Sequence, residues 1–150
     1  MFYVFYVESL YELKTIKDII LEILDTKLYW EIDIISDEEL EFEVVNDYFN
    51  LSIDGCSQSI SEASEDYGLN LNYRLWIEMD SNQSDLLEKI MMFIGSCMKR
   101  LNGNCILLSN GDTPILIRNN VKTIVDDTRL RGTKKFPFEK LGIQFEISEI

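Results

Sequence analysis

The stretch that decides the fold alternates apolar and acidic residues: EIDIISDEELEFEV, residues 31–44. The alternation runs on both sides of a short polar link, Ser36-Asp37-Glu38, and this pattern predicts two antiparallel strands joined by a tight turn. Successive side chains of a strand point to opposite faces of its sheet. We therefore predict a hairpin with one apolar face toward the core and one acidic face toward solvent.

The two faces of this predicted hairpin carry different chemistry. The side chains predicted to face the core are Ile32, Ile34, Leu40, Phe42 and Val44. A strand around Leu75 alternates in the same way and sends Trp76 outward beside acidic residues, a combination typical of protein-binding hot spots. A register slip of one residue would bury Trp76 instead. The candidate partner-binding residues are therefore Glu31, Asp33, Asp37, Glu38, Glu39, Glu41, Glu43, Trp76 and Glu78.

Two amphipathic helices flank these strands in the sequence. The first ends near Lys27, and its spacing predicts one buried stripe: Leu13, Ile16, Ile20, Ile23 and Leu24. The second begins near Ser84 and Asp85 and stops at Gly103, with the predicted stripe Leu87, Ile90, Met91, Ile94, Met98 and Leu101. A helix with one apolar stripe needs one covered face, so we expect both helices on the same side of a sheet.

Further strands and one loop complete the predicted secondary structure. Residues 54–68 are rich in Ser, Asp, Glu and Gly, and this composition indicates an exposed loop. Apolar or alternating runs predict strands at residues 2–7, 49–53 and 71–79, and a second hairpin at residues 105–118.

The order of these elements predicts the fold class. It is an α+β two-layer sandwich, a largely antiparallel sheet with two helices on one face and solvent on the other. The length of 150 residues favours a single domain, residues 1–150. We expect its core in residues 1–120 and an extended C-terminal segment in residues 121–150.

The formal net charge of −13 is concentrated in one third of the chain. Residues 31–80 hold fourteen acidic residues and one basic residue, whereas the rest of the chain holds thirteen of each. This imbalance disfavours nucleic acid and anionic membranes as partners and favours a basic protein. Two other interpretations stay open: a solvated face that aids solubility, or an internal counter-charge from Arg129, Arg131, Lys134 and Lys135.

The sequence lacks the residues of several common kinds of active site. It contains no histidine, which excludes Ser-His, Cys-His and two-histidine metal sites. Residues 80–84 resemble the start of a calcium loop, but Asp85 stands where that loop needs glycine and Met91 where it needs glutamate. We expect no catalytic, cofactor-binding or metal-binding residues and no enzymatic activity. An enzyme that uses only carboxylates, Ser, Tyr or Cys stays an alternative.

Cysteine use and the N-terminal residues bear on location. Cys56, Cys97 and Cys105 are odd in number and lack C-x-x-C spacing, which favours reduced thiols buried as small apolar residues. The chain begins without a basic region or a small-residue cleavage site, and it has no apolar stretch of membrane-spanning length. We expect a cytoplasmic protein without membrane association, and a monomer rather than a dimer.

Three features together resemble the immunity proteins of bacterial contact-dependent growth inhibition and related polymorphic-toxin systems. They are a strand-helix opening, an acidic middle set of strands, and a helix followed by a hairpin at residues 104–118, and they span most of residues 2–118. The resemblance implies a small cytosolic protein that binds one toxin domain, often a nuclease with a basic active-site cleft, and blocks it without catalysis. The family has no motif that assigns roles to individual residues.

The distribution of charge agrees with that expectation. A basic cleft attracts carboxylates for the same reason that it attracts phosphates, and complementary fields raise association rates toward about 10⁸ M⁻¹s⁻¹ at low salt. The sequence therefore favours an immunity protein that neutralises a toxin domain through an acidic surface. The alternative is a small acidic secretion chaperone that binds an effector segment, a class that usually forms dimers with an exposed apolar groove.

Overall fold

The computed structural model describes residues 1–39, 41–80, 85–130 and 136–150. Within these residues, the strands are β1 (Phe2–Val7), β2 (Asp33–Asp37), β3 (Glu41–Val45), β4 (Phe49–Asp54), β5 (Tyr73–Met79), β6 (Cys105–Ser109), β7 (Thr113–Asn119), β8 (Lys122–Val125) and β9 (Glu146–Ile147). The α-helices are α1 (Leu13–Thr26), α2 (Gln58–Tyr67) and α3 (Leu86–Leu101), and a short 3-10 helix spans Phe138–Leu141.

These strands form one sheet in the order β2-β3-β4-β5-β1-β6-β7-β8-β9. Neighbouring strands are antiparallel except β8 and β9, which run parallel. The apolar strand β1 lies inside the sheet between β5 and β6, and its residues from Tyr3 to Val7 are buried. A strand that is apolar on both sides needs cover on both faces of the sheet. The predicted α+β class with a largely antiparallel sheet is confirmed.

The main core lies between one face of the sheet and helices α1 and α3. The helices meet Phe5 and Leu75 of the sheet with side chains that are at most 2% exposed, among them Ile16, Ile20, Ile90 and Ile94. Each such side chain contributes roughly 1.5–3 kcal/mol by burial. The prediction that these two helices share one face of the sheet is therefore confirmed.

The other face of the sheet carries helix α2, and here the prediction is wrong. Residues 54–68 were expected to form an exposed loop with a solvated sheet face beneath it. Instead, α2 directs Ile60 and Ala63 toward the sheet, and this second cluster packs on Val4, Tyr6, Ile106 and Leu108. The helix was missed because only two of its ten residues are buried, so its apolar stripe is too short to give a periodic signal. The fold thus has a partial third layer.

The C-terminal residues, expected to extend beyond a core formed by residues 1–120, contribute buried side chains to that core. Phe136, Phe138 and Leu141 all belong to the main apolar cluster. The 3-10 helix approaches α3 at Gly95, where an added Cβ atom would lie 1.9 Å from the carbonyl oxygen of Leu141. Only glycine permits this contact between the two backbones.

Two of the three cysteines are core residues, as the sequence predicted. Cys97 and Cys105 are buried, and burial raises the pKa of the Cys105 thiol to about 12, so this thiol stays protonated at neutral pH. The same prediction is wrong for Cys56, which is exposed in the connection between β4 and α2.

Candidate functional site: an acidic hairpin at the edge of the sheet

Strands β2 and β3 form an acidic hairpin, residues 31–45, at one end of the sheet. On β3, Phe42 and Val44 face the main core and are 2% and 0% exposed. Glu41 is exposed and Glu43 is half-buried on the opposite face of the sheet. The alternation that was predicted for this strand is confirmed.

The register of the hairpin keeps its carboxylates apart. The cross-strand partners are Asp33 and Val45, Ile34 and Val44, Ser36 and Glu43, and Asp37 and Phe42. None of these pairs places two carboxylates opposite each other, so β2 and β3 avoid the repulsion of about 0.2–1 kcal/mol that a directly opposed pair costs. An opposed acidic pair does occur one strand further in, where Glu41 faces Asp54 on β4.

The charge of Asp54 is matched by Arg74 on β5. The guanidinium donates from Nη2 at 2.8 Å and from Nε at 3.1 Å to the same carboxylate oxygen, and from Nη1 to Ser59 at 3.1 Å. Asp54 also accepts the backbone N–H of Ser57 at 3.1 Å, just before α2 begins. The one basic residue of the acidic third of the chain is thus used to join the sheet to α2.

An open groove of about 390 Å³ lies beside this ion pair, lined by Glu38, Glu41, Asp54, Cys56, Ser57 and Arg74. Three of these six side chains are carboxylates, and the guanidinium of Arg74 already donates to Asp54 and Ser59. The groove therefore presents mainly negative charge and hydrogen-bond acceptors to a ligand.

The edge strand β2 exposes two isoleucines. Ile34 and Ile35 are 55% and 59% exposed. The sequence predicted that Ile34 faces the core, and its side chain does lie on the core face, opposite Val44. It stays exposed because no strand lies beyond β2 within the described residues to cover it. A register shift between Ile34 and Ser36 places Ile35 in a bulge. Leu40, also predicted to face inward, lies outside the described residues.

One lysine reaches the acidic hairpin from the helix side. Lys17 of α1 places its ammonium 3.1 Å from Asp37 and donates to the carbonyl oxygen of Glu38 at 2.5 Å. Glu43 accepts a hydrogen bond from the amide of Asn50 at 2.9 Å. In the part of the chain that the structure describes, no lysine or arginine forms an ion pair with the remaining carboxylates of the hairpin: Glu31, Asp33, Glu38, Glu39 and Glu41.

Trp76 and Glu78 lie on the outer face as predicted, but on β5, which β4 separates from the acidic hairpin. Trp76 is half-buried and stacks on Phe2, with ring centroids 4.4 Å apart. Its indole N–H donates to Glu78 at 2.9 Å. Within the hairpin, Asp33, Glu41 and Glu43 share the outer face, whereas Asp37 lies on the core face opposite Phe42. Trp76 and Glu78 lie on that outer face but two strands away from β3.

Helix α2 adds acidic residues that the sequence analysis missed. Glu62, Glu65 and Asp66 are exposed on this helix, which lies on the same side of the sheet as Glu41 and Glu43. They were missed because residues 54–68 were interpreted as a loop. A usable signal was Gly68, which adopts a left-handed conformation and terminates α2, as glycine commonly does at the ends of helices.

Of the four basic residues proposed as an internal counter-charge, Arg129 is the one that lies within the described residues. Arg129 donates to the carbonyl oxygen of Ile150 at 2.6 Å and lies 3.5 Å from Glu149, so its contacts are with C-terminal residues. Arg131, Lys134 and Lys135 lie outside the described residues, as does the calcium-like fragment at residues 81–84. Arg129 therefore gives no support to the counter-charge hypothesis.

The described residues show no sign of a metal site or of a membrane-spanning helix. Among the described side chains, no group of three or more acidic or thiol ligands is arranged to hold a metal ion. No helix in the described ranges combines the length and the apolarity that crossing a membrane requires. None of the known protein families, curated proteins or solved structures matches this chain.

Proposed function

We propose that this protein is a cytoplasmic, non-catalytic binding protein that neutralises a toxin domain by covering its basic cleft with the acidic hairpin. The observation that carries this proposal is a group of carboxylates at one end of the sheet, including Asp33, Glu39 and Glu41, that have no ion-pair partner among the described residues. Concentrated like charge costs folding free energy, and a basic partner compensates that cost.

In the proposed mechanism, the charges of the hairpin set the association rate and its apolar side chains slow dissociation. The field of the acidic hairpin steers a basic cleft toward it and raises the association rate, but rim charges contribute less to the final affinity. Ile34 and Ile35 supply apolar surface beside the charges, and burying them slows dissociation. A nuclease cleft filled in this way has no room for its phosphate substrate.

The test uses the chain together with the toxin domain encoded by the neighbouring gene. The hairpin variant Asp33→Asn/Glu39→Gln/Glu41→Gln removes three carboxylates. A matched control, Glu12→Gln/Asp25→Asn/Glu139→Gln, removes three exposed carboxylates on α1, at its start, and on the 3-10 helix. We expect the hairpin variant to associate about ten-fold more slowly at low salt, and the control to associate like the wild type.

Two outcomes would overturn the proposal. In the first, the wild-type chain neither binds the neighbouring toxin domain nor protects cells that produce it. In the second, the chain is a dimer that binds an unfolded effector segment, which would favour the secretion chaperone instead.

A further inference from the structure

We infer that the acidic hairpin binds by strand addition, in which an extended basic segment of the partner pairs with the free edge of β2. This inference rests on the proposed function, because it names how the same surface would bind. A strand added to a sheet edge gains main-chain hydrogen bonds, and its side chains then provide selectivity.

The open edge of β2 is the first observation. β2 has five residues, lies last in the sheet, and pairs with β3 on one side only within the described residues. Alternate backbone N–H and C=O groups of such a strand point away from the sheet and can pair with another chain. At about 3.4 Å per residue, β2 offers an edge roughly 17 Å long.

The opposite end of the sheet differs in this respect. The last strand there, β9, has only two residues, Glu146 and Ile147, and offers little edge to a partner. Very short edge strands are one device by which proteins prevent unwanted pairing. Within the described residues, the edge at β9 is therefore too short for much pairing, whereas β2 leaves a longer edge at the acidic hairpin.

The arrangement of side chains on β2 is the second observation. Charged residues at a sheet edge commonly prevent pairing. Here Asp33 and Asp37 flank Ile34 and Ile35 without interrupting them, and both isoleucines are more than half exposed. The carboxylates thus restrict which segment can pair, while the apolar surface between them stays accessible.

Charge decides between the possible occupants of this edge. A second copy of the chain would bring two acidic hairpins together, and like charges repel across paired strands. A basic segment would lie next to Asp33 on the outer face and Ile34 on the core face of β2. The occupant that fits is an extended segment in which lysine or arginine alternates with apolar residues.

The experiment uses a short synthetic peptide of alternating lysine and valine as the probe. Amide hydrogen exchange of the protein, followed by NMR at saturating peptide, reports which backbone groups become protected. We expect protection within Asp33–Asp37, and loss of binding when alternate peptide amides are N-methylated, because that change removes donors to β2. A peptide with glutamate in place of lysine is expected not to bind.

Protein variants provide the matched comparison. Ile34→Ser/Ile35→Ser is expected to weaken peptide binding by about ten-fold or more. Leu10→Ser, at a fully exposed leucine outside the hairpin, is expected to leave it unchanged. Circular dichroism and urea midpoints check that both variants fold, and both should do so because the substituted side chains are exposed.

Three results would overturn strand addition: no protection of β2 at saturating peptide, undiminished binding of the N-methylated peptide, or a dimer of the free chain that Ile34→Ser/Ile35→Ser disperses. The proposed function is judged separately. If this variant still neutralises the toxin domain as the wild type does, the edge inference is wrong while the function stands. If the peptide protects β2 but the wild-type chain protects no cell, the edge stands and the function fails.

Discussion

The ammonium of Lys17 lies 3.1 Å from the carboxylate of Asp37, and this ion pair ties helix α1 to the edge strand β2. The same ammonium lies 5.5 Å from the ring centroid of Phe42, at the border of the main core. The side chain of Lys17 is 11% exposed and that of Asp37 is 61% exposed. The aliphatic stem of Lys17 therefore covers the core while its charged end reaches the surface.

Substitutions at Lys17 should separate these two roles. Lys17→Met keeps an apolar stem and removes the charge. We expect the free energy of unfolding to change by less than about 1 kcal/mol, because the carboxylate of Asp37 is 61% exposed and solvent screens its attraction to the ammonium. Lys17→Ala uncovers Phe42, and we expect a loss of about 1–2 kcal/mol. Urea denaturation measures both. Equal losses in the two variants would contradict a role for the stem.

The ion pair between Arg74 and Asp54 should be worth more than an exposed one. Its side chains are 25% and 17% exposed, and Arg74→Met would leave Asp54 facing Glu41 without a counter-charge. We expect a loss of about 1–3 kcal/mol in urea denaturation. Arg100→Met is the control, since its partner Glu22 is 3.4 Å away and both are exposed, and it should cost less than about 1 kcal/mol. Similar losses in both variants would argue against the special role of Arg74.

Gly95 should not tolerate a side chain. Alanine favours helices by about 1 kcal/mol over glycine, but a Cβ atom here would lie 1.9 Å from the carbonyl oxygen of Leu141. Gly95→Ala is therefore expected to destabilise the protein by about 1–3 kcal/mol and to accelerate amide exchange in Phe138–Leu141. Ser96→Ala on the same helix is the control and should leave exchange there unchanged. A gain in stability from Gly95→Ala would contradict the observed packing.

Asp126 should make stability depend on pH. Hydrogen bonds from the hydroxyl of Thr128 at 2.6 Å and its backbone N–H at 2.9 Å lower the pKa of this buried carboxyl. A lowered pKa in the folded state contributes stability that is present above the unfolded value of about 3.9 and is lost as pH falls through the folded value. The stability difference between the wild type and Asp126→Asn should therefore be largest above about pH 5 and shrink below about pH 4.

Urea midpoints measured from pH 7 to pH 3 test this dependence. Thr128→Val removes the hydroxyl donor, and its deficit relative to the wild type should also shrink at low pH. A constant difference across the range for Asp126→Asn would show that the charge of Asp126 does not contribute.

The candidate site was only partly predictable. Alternation placed Glu41 and Glu43 outward because the side-chain period of a strand is purely local. The same rule did not predict that β2 is the last strand at this end of the described sheet. The Ile34-Ile35 doublet does, however, break the alternation at the position of the bulge. The contact of Lys17 with Asp37 joins residues twenty positions apart, and no local pattern indicates it.

By itself, the sequence determined most of the buried stripes of α1 and α3 and the inward side of β3, because periods of 3.6 and 2 residues can be recognised from neighbouring positions. Leu13 and Leu87, at the starts of the two predicted stripes, are only partly buried, and Leu86 is the buried residue at the start of α3. Only the tertiary structure decided that residues 58–67 form a helix and that Ile34 stays exposed. Both outcomes depend on which distant strands lie beside or beneath a segment. The apolar surface of β1 and β6 stabilises α2. Ile34 is exposed on β2, which is the last strand at its end of the sheet within the described residues.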